Sequence, residues 1–335
     1  LVLPLDAALL MLHSRILVVG GSGFIGTQVV SKLSAQGRRV IVPTRRRERA
    51  RHLILLPTVD VVEVGRLDAA TLAALAAGCD AAINLVGVLH GRAGSGADPW
   101  GPDFGRAHVD LPAMLVDACR GAGVKRLVHV SALGVTDGGK NTLPSRYLRS
   151  KAAGEEKVRQ ARALDWTILR PSVVFGADDS FLRLFAALQK VLPVLALAKA
   201  EARFQPIWVD DVARAIVHAI DNPATFGKTY ALAGPEIFTL RQLVELAGVW
   251  SGHRRPVMSL PAGLGRLTAT LMEWAPGEPL MTRDNLDSMT LDNVSARPID
   301  PELGIVPAAL SAMGAALYGP GADIRYGQWR ARARR

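Results

Sequence analysis

The sequence predicts an α/β protein with a doubly wound parallel sheet and a smaller, mostly helical C-terminal region. Three observations carry this: short apolar runs alternate with segments of helical period, the first run ends in a glycine-rich turn, and the pattern changes after Pro171. The runs at residues 16–19, 40–42, 59–64, 81–86, 127–130 and 167–169 have the length and β-branched content of buried strands. Between them, residues 69–77 and 113–120 repeat Ala, Leu and Val at helical spacing, and Gly37, Gly78 and Gly121 stand where helices would close. A strand–helix–strand rhythm of this kind implies a parallel sheet covered on both faces.

Two long connections, residues 88–105 and 133–145, follow strands. In an open parallel sheet such loops line the ligand crevice. Beyond Pro171 the sequence predicts a helix over 181–192, a strand over 204–209, a helix over 211–220 and a strand over 228–233. The expected organisation is therefore an extension at 1–10 and a nucleotide-binding core at 11–171 that regains the sheet at 203–233. A substrate-side region at 172–202 and 234–324 and a basic tail at 325–335 complete it.

Bulk properties narrow the class. Among 335 residues, 49% are apolar and 21% charged, as in ordinary globular proteins. The net charge of +10 favours anionic partners, namely a phosphate-bearing cofactor, an acidic membrane surface or nucleic acid. No nucleic-acid reading motif is present, so specific nucleic-acid binding is not expected. Cys79 and Cys119 form neither a CxxC pair nor a cluster at metal-ligand spacing, which argues against a disulfide framework or a zinc site and fits a reducing cytoplasm. Residues 1–12 are apolar but lack a basic leader and include Asp6, a poor secretory signal, and Met11 is a candidate start. The longest uncharged stretch, 303–322, is interrupted by Pro307, Gly314, Gly319 and Pro320, so no spanning helix is expected. The tail combines Tyr326 and Trp329 with five arginines; it suits either a solvated terminus or peripheral contact with an anionic bilayer at the inner face of the membrane.

The glycine turn carries the chemistry. Gly20, Gly23 and Gly26 follow the first strand and open a helix that begins with Phe24 and Ile25. The first glycine permits a tight turn, the second lets backbone approach a pyrophosphate, and the third allows close packing of helix on strand. Free amides at the helix start then face the phosphates, giving a Rossmann-type dinucleotide site. An NAD-specific site needs an acid after the second strand to hold the ribose 2′-hydroxyl. Thr44, Arg45 and Arg46 stand there instead, which suits a 2′-phosphate and favours NADP(H) over NAD(H). Arg47, Arg49 and Arg51 read as the solvated face of a short helix. Asp68, after the third strand, is placed either near an adenine or as a helix N-cap, and Asp210 and Asp211 read as caps of the helix that follows them.

Tyr147 and Lys151 are one helical turn apart, about 6 Å along the axis. An ammonium beside a phenol favours phenolate and makes a better acid/base near neutral pH. His129 and Ser131 share one face of the fifth strand; His129 reads as a packed core or rim histidine.

The GxxGxxG turn, Asn84-Leu85-Val86-Gly87, His129-Val130-Ser131, Tyr147 with Lys151, Arg170-Pro171-Ser172-Val173-Val174-Phe175-Gly176 and Trp208-Val209-Asp210-Asp211-Val212 occur in an order that resembles the extended short-chain dehydrogenase/reductase superfamily, epimerases and dehydratases included. The strings Ile83-Asn84-Leu85-Val86-Gly87, Ser145-Arg146-Tyr147-Leu148-Arg149-Ser150-Lys151-Ala152 and Phe204-Gln205-Pro206-Ile207-Trp208 are similar to its atypical branch, which holds the nucleotide-binding accessory subunit of mitochondrial complex I and bacterial relatives. The resemblance implies Tyr147 as acid/base, Lys151 as the group that tunes it and holds the nicotinamide ribose, and Ser131 as a polarising group. It adds Leu85, Val86, Gly87, Pro171 and Val173 to the cofactor contacts. His108 occupies the position where relatives carry an asparagine. Two functions fit: an NADP(H)-loaded scaffold for a respiratory or quinone-related system, and an NADPH-dependent oxidoreductase or epimerase acting on an apolar carbonyl or alcohol.

Overall fold

The computed structural model describes residues 12–92, 94, 99–274, 279 and 281–319. The candidate start Met11, the extension at 1–10, part of the loop at 88–105 and the tail at 325–335 lie outside the described residues.

The first strand, β1 (Arg15–Val19), turns through Gly20 into α1 (Phe24–Ala35), and β2 (Arg39–Thr44) and β3 (Val59–Glu63) follow. Helix α2 (Ala69–Ala76) leads to β4 (Ala81–Asn84). A single helical turn, α3 (Pro102–Phe104), runs through a π-helical stretch, Gly105–Asp110, into α4 (Leu111–Ala122) and then β5 (Arg126–Val130). Helix α5 (Arg146–Arg159) precedes β6 (Asp165–Pro171). The six predicted strands are present within a few residues of their expected ends. One expected closer differs: Gly121 lies inside α4, and Gly123, at φ +74°, terminates it.

The seven-stranded sheet has the order β3-β2-β1-β4-β5-β6-β11, where β11 is Lys228–Leu232, and neighbouring strands from β3 to β6 run parallel. From β1 the chain moves outward to β3 and then returns to pair β4 with the other side of β1. The carboxyl ends of β1 and β4 therefore form the switch point at which open α/β sheets bind ligands. One face buries Leu17, Val19, Ile41, Leu127 and Ile168 with Leu72 of α2 and Leu115 of α4. Ile16, Val18, Val40 and Val42, which point to the other face, are equally inaccessible.

Arg126 is the largest fully buried side chain. Its guanidinium donates to the Ala219 and Ile220 carbonyls at the end of α7 (Val209–Asp221), to the Asp165 carbonyl of β6 and to Thr167 Oγ1, and it lies 4.4 Å from the Phe226 ring centroid. A cation at a helix C-terminus meets the negative end of the dipole. Burial nevertheless pulls its pKa down to about 10.

The described chain divides into two compact units. One comprises residues up to Arg170 with Val212–Ala231 and Ile299–Ile305; the other comprises Pro171–Asp211, Leu232–Pro298 and residues from Val306. In the second unit, β7 (Val174–Phe175), α6 (Phe181–Val191), β8 (Leu195–Ala198), β9 (Arg203–Phe204) and β10 (Ile207–Trp208) are followed, beyond α7, by β12 (Phe238–Thr239) and α8 (Leu240–Trp250). Next come β13 (Val257–Leu260), α9 (Ala262–Trp274), α10 (Arg283–Ser288) and α11 (Leu310–Tyr318). Its core gathers Phe175, Leu182, Phe185, Leu240, Leu243 and Tyr318. The strand expected over 204–209 is interrupted at Gln205-Pro206: Phe204 pairs antiparallel with β12, whereas Ile207 pairs parallel with β7. Proline lacks a ladder donor, so the break falls there. Asp210 and Asp211 stand in the first turn of α7 rather than ahead of it, and Asp211 accepts the Ala308 amide at 2.7 Å.

Helix α5 lies so close to the π-helical stretch that a Cβ on Gly154 would come 1.9 Å from the His108 carbonyl oxygen, whereas one on Gly121 would meet nothing within 4 Å. Gly154→Ala is expected to destabilise the protein by about 2 kcal/mol or more through overpacking. Gly121→Ala, in the same layer, is expected to stabilise it by about 0.5–1 kcal/mol through helix propensity. Urea unfolding of the two variants checks the opposite signs.

Candidate functional site

The glycine turn is set by close approach. Gly20 sits at φ +86°, and a Cβ there would lie 3.0 Å from the Leu85 carbonyl carbon and 3.1 Å from the Val86 nitrogen. A Cβ on Gly26 would fall 2.3 Å from the Gly20 oxygen. Gly23 is the N-cap of α1, exposed and without a capping side chain, so the first-turn amides around Phe24 and Ile25 have no side-chain acceptor of their own. These are the features of a phosphate cradle: a bare turn, a helix start and no competing carboxylate.

Beyond β2, Arg45 and Arg46 are exposed, and neither is in an ion pair among the described residues. Thr44 is buried, and its hydroxyl closes the turn by donating to the Arg46 carbonyl at 3.0 Å while accepting the Arg46 amide. It shapes the arginine loop, so the expected donation from Thr44 to a phosphate competes with this bond. Arg47 opens a short 3-10 helix, Arg47–Ala50, as the solvated-face reading expects. Asp68 caps α2, accepting the Thr71 amide at 2.9 Å, and that bond lowers its pKa.

On the opposite wall, Leu85, Val86 and Gly87 leave β4 pinned on several sides. The Leu85 amide donates to Val19, and the Val86 amide donates to Asn84 Oδ1. The Val88 amide donates to His108 Nε2 at 3.0 Å, and His108 Nδ1 lies 2.8 Å from Ser150 Oγ, which donates to the Tyr147 carbonyl. Because Nε2 accepts, the neutral ring carries its proton on Nδ1 and donates to Ser150. His108 thereby ties the 86–88 loop to α5. Burial and the neighbouring Lys151 charge pull its pKa down to about 2.

Lys151 is buried and donates to the Val86 and Val130 carbonyls at 3.4 and 3.3 Å. Burial lowers it to about 8, with Glu155 one turn away opposing the fall. Glu155 is fully buried, gripped through both oxygens by Arg170 and held also by Arg159; Asp137 bridges the two guanidiniums. Tyr147 is half-buried, edge-on to His108 and Phe104 with ring centroids 5.5 and 6.1 Å away. Loss of water around the phenol pushes it up to about 12. This corrects the expected direction: the Lys151 ammonium is engaged with two carbonyls, and Tyr147 is held protonated.

Ser131 is buried at the end of β5, its amide bonded to Leu169 and its hydroxyl without a partner among the described residues. His129 is packed as expected. Its Nδ1 accepts from the Asn84 side-chain amide at 3.1 Å, which leaves the proton on a buried, unpartnered Nε2, and desolvation lowers its pKa to about 3. Pro171 ends β6, and Val173, whose amide donates to Asn293 Oδ1, belongs to the second unit. The roles of His108, Asn84 and the Asp137–Glu155–Arg170 network are not legible from motifs alone; the i, i+4 series Lys151, Glu155, Arg159 is the signal that points to the last. A cavity of about 530 Å³ on the β2–β3 face, lined by Arg15, Arg39 and Arg47 among others, contains none of these residues. Among the described residues no cluster of His, Cys, Asp or Glu is arranged to hold a metal.

The model of the NAD dependent epimerase/dehydratase family matches residues 16–233, a span that runs from β1 through the cradle and α5 to β11. The chain belongs to this family. Within it, the chain is 30% identical over 304 residues to the rat mitochondrial NADH dehydrogenase (ubiquinone) 1 alpha subcomplex subunit 9, covering 88% of this chain and 76% of that protein. It is 29% identical over 286 residues to a quinoline-1-oxide ketoreductase of Stigmatella aurantiaca, covering 77% and 80%. Among solved structures, an NADPH-dependent quinone oxidoreductase of Escherichia coli complexed with NADPH superposes with a TM-score of 0.69 at 18% identity, covering 91% of this chain and all of that one, which shows a shared fold. In family terms, the glycine turn, the 85–87 loop and the Tyr147–Lys151 pair all lie in the first unit.

His108 and His129 are neutral in the folded protein and take up protons near pH 6.5 when unfolded. The unfolded state therefore binds more protons below that pH, and stability falls as pH drops toward the folded values of about 2 and about 3. Each histidine contributes a slope of about 1.4 kcal/mol per pH unit. Unfolding free energy is expected to fall by about 2 kcal/mol between pH 6 and 5, and His129→Phe to remove roughly half of that slope. Urea titrations at the two pH values check it.

Proposed function

We propose that this family member holds NADP(H) and serves a respiratory or quinone-related system with little or no turnover. The observation that carries the reading is the cradle at Gly20, Gly23 and Gly26 together with Arg45 and Arg46 where an NAD-specific site would need an acid. The residues present fit the group: Phe24 and Ile25 offer first-turn amides to the diphosphate, Arg45 and Arg46 take the 2′-phosphate, and Leu85, Val86 and Gly87 flank the nicotinamide side. Lys151 holds the ribose, and Asp68 borders the adenine end. The respiratory assignment is supported by the relatives named as NADH dehydrogenase subunits. The second unit takes the substrate-side role, and the reading includes a cytoplasmic location with peripheral contact to an anionic membrane.

A second reading, an NADPH-dependent reductase of an apolar carbonyl, is favoured by the partnerless Ser131 hydroxyl and by the similarity to a ketoreductase. Bound NADPH would supply a hydride to the carbonyl carbon. Ser131 would polarise the carbonyl oxygen, and Tyr147, held protonated, would supply the proton to that oxygen. Lys151 would fix the geometry and return charge balance to the phenolate.

Two measurements test these readings. Calorimetry of the nucleotide-free protein is expected to show tighter binding of NADPH than of NADH. Arg45→Ala with Arg46→Ala should weaken NADPH about ten-fold or more while leaving NADH within about two-fold, because charge-assisted bonds to phosphate are worth about 1.5–3 kcal/mol. Equal affinity for the two nucleotides in the parent protein would overturn the NADP(H) assignment. NADPH oxidation against a panel of carbonyls and quinones separates scaffold from enzyme: the scaffold shows none, whereas an enzyme loses about 100-fold or more in Tyr147→Phe.

A further inference from the structure

Helix α9 turns its large side chains the wrong way for a globular protein. Gly265 and Ala269 form its buried face, and Gly265 packs so closely on β8 that a Cβ would lie 2.7 Å from that of Ala198. Ala198, Ala269 and Leu286 make a small satellite core there. On the other side, Leu264, Leu267, Leu271 and Trp274 are 53, 55, 57 and 80% exposed. Their i, i+3, i+7, i+10 spacing gathers them within an arc of about 80°. Single exposed leucines are common, but a ridge of four large apolar groups marks an interaction surface.

We propose that this ridge inserts at the headgroup–acyl boundary of an anionic bilayer. Three features select a membrane. A helix crest offers side chains to insert, and Trp274 at its last turn has the amphipathic ring that settles at bilayer interfaces. The fringe is cationic: Lys190 and Lys199 flank β8, exposed and outside any ion pair among the described residues, and Arg266 rises beside the ridge with only a 3.5 Å contact to Asp287. The one acid of α9, Glu273, is neutralised by Arg283 at 2.8 Å. Exposed apolar groups of the same layer extend the patch, with Met258 on β13, the strand paired with β8, and Val191 at the end of α6 just before it. The inference gives a structural carrier to the membrane contact in the functional reading, and it does not depend on whether the nucleotide turns over.

The test is flotation of the full chain with phosphatidylcholine vesicles that contain or lack phosphatidylglycerol. The parent protein is expected to float with the anionic vesicles and to be released by salt. Leu267→Ser/Leu271→Ser/Trp274→Ser should lose about ten-fold or more of that binding. A chain lacking residues 320–335 should keep the dependence on these three positions, which separates the ridge from the arginine-rich end. Trp274 emission should shift to the blue on vesicle addition, and the shift should vanish in Trp274→Phe. Flotation of the triple variant equal to the parent, or no flotation of the parent with either vesicle, overturns the proposal. So does a parent dimer in solution that the triple variant dissolves, which would make the ridge a protein contact. NADPH affinity measured on the same samples keeps the two readings apart: lost nucleotide binding with retained flotation defeats the functional reading alone.

Discussion

The junction between β1 and β4 constrains everything around it. Gly20 passes within contact distance of the Leu85–Val86 peptide, where a Cβ would be crowded against backbone at 3.0–3.1 Å and the positive φ would strain any side chain. That approach lets the turn into α1 and the loop leaving β4 stand side by side at the switch point of the sheet. Once they do, the backbone of the glycine turn and that of the 85–86 segment form one edge of the first unit. The later helices act on this edge by holding the 85–88 segment from behind: His108 takes the Val88 amide, and Lys151 takes the Val86 carbonyl.

The electrostatics of that wall follow from its dryness. Two histidines are kept neutral, a phenol is kept protonated and the pKa of a lysine is lowered, all chiefly by loss of water. The Lys151 charge reinforces the neutral state of both imidazoles. A fully buried carboxylate one turn along α5, Glu155, offsets part of the desolvation and is itself compensated by Arg170 and Arg159. At position 108 a histidine with a fixed tautomer bonds to both loop and helix. Its ring adds an aromatic face that packs against Phe104 and Tyr147.

Much of the fold and of the local geometry of the candidate site was legible because the signals are local. Strand runs, the glycine turn, the Asp68 cap and the Tyr147–Lys151 turn each depend on residues a few positions apart. What escaped was set by distant partners. The direction of the Tyr147 shift depends on the loss of water around its phenol, and Lys151 is turned to carbonyls 65 and 21 residues away. The break at Gln205-Pro206 follows from two different partner strands, and the end of α4 at Gly123 rather than Gly121 turns on which glycine adopts a positive φ. Thr44 looked free to meet a phosphate, yet its hydroxyl closes the arginine loop.

The buried guanidinium of Arg126 sets an order in time as well as in space. Its carbonyl acceptors on α7 lie 93 and 94 residues further along the chain. While the polypeptide is being synthesised, β5 emerges long before those acceptors exist, and a positive charge cannot enter an apolar interior unaccompanied. Full satisfaction of the buried guanidinium therefore requires the chain as far as Ile220, well beyond the strand that carries Arg126. The first unit is thus closed by a segment remote in sequence from the glycine turn and from the 85–87 loop.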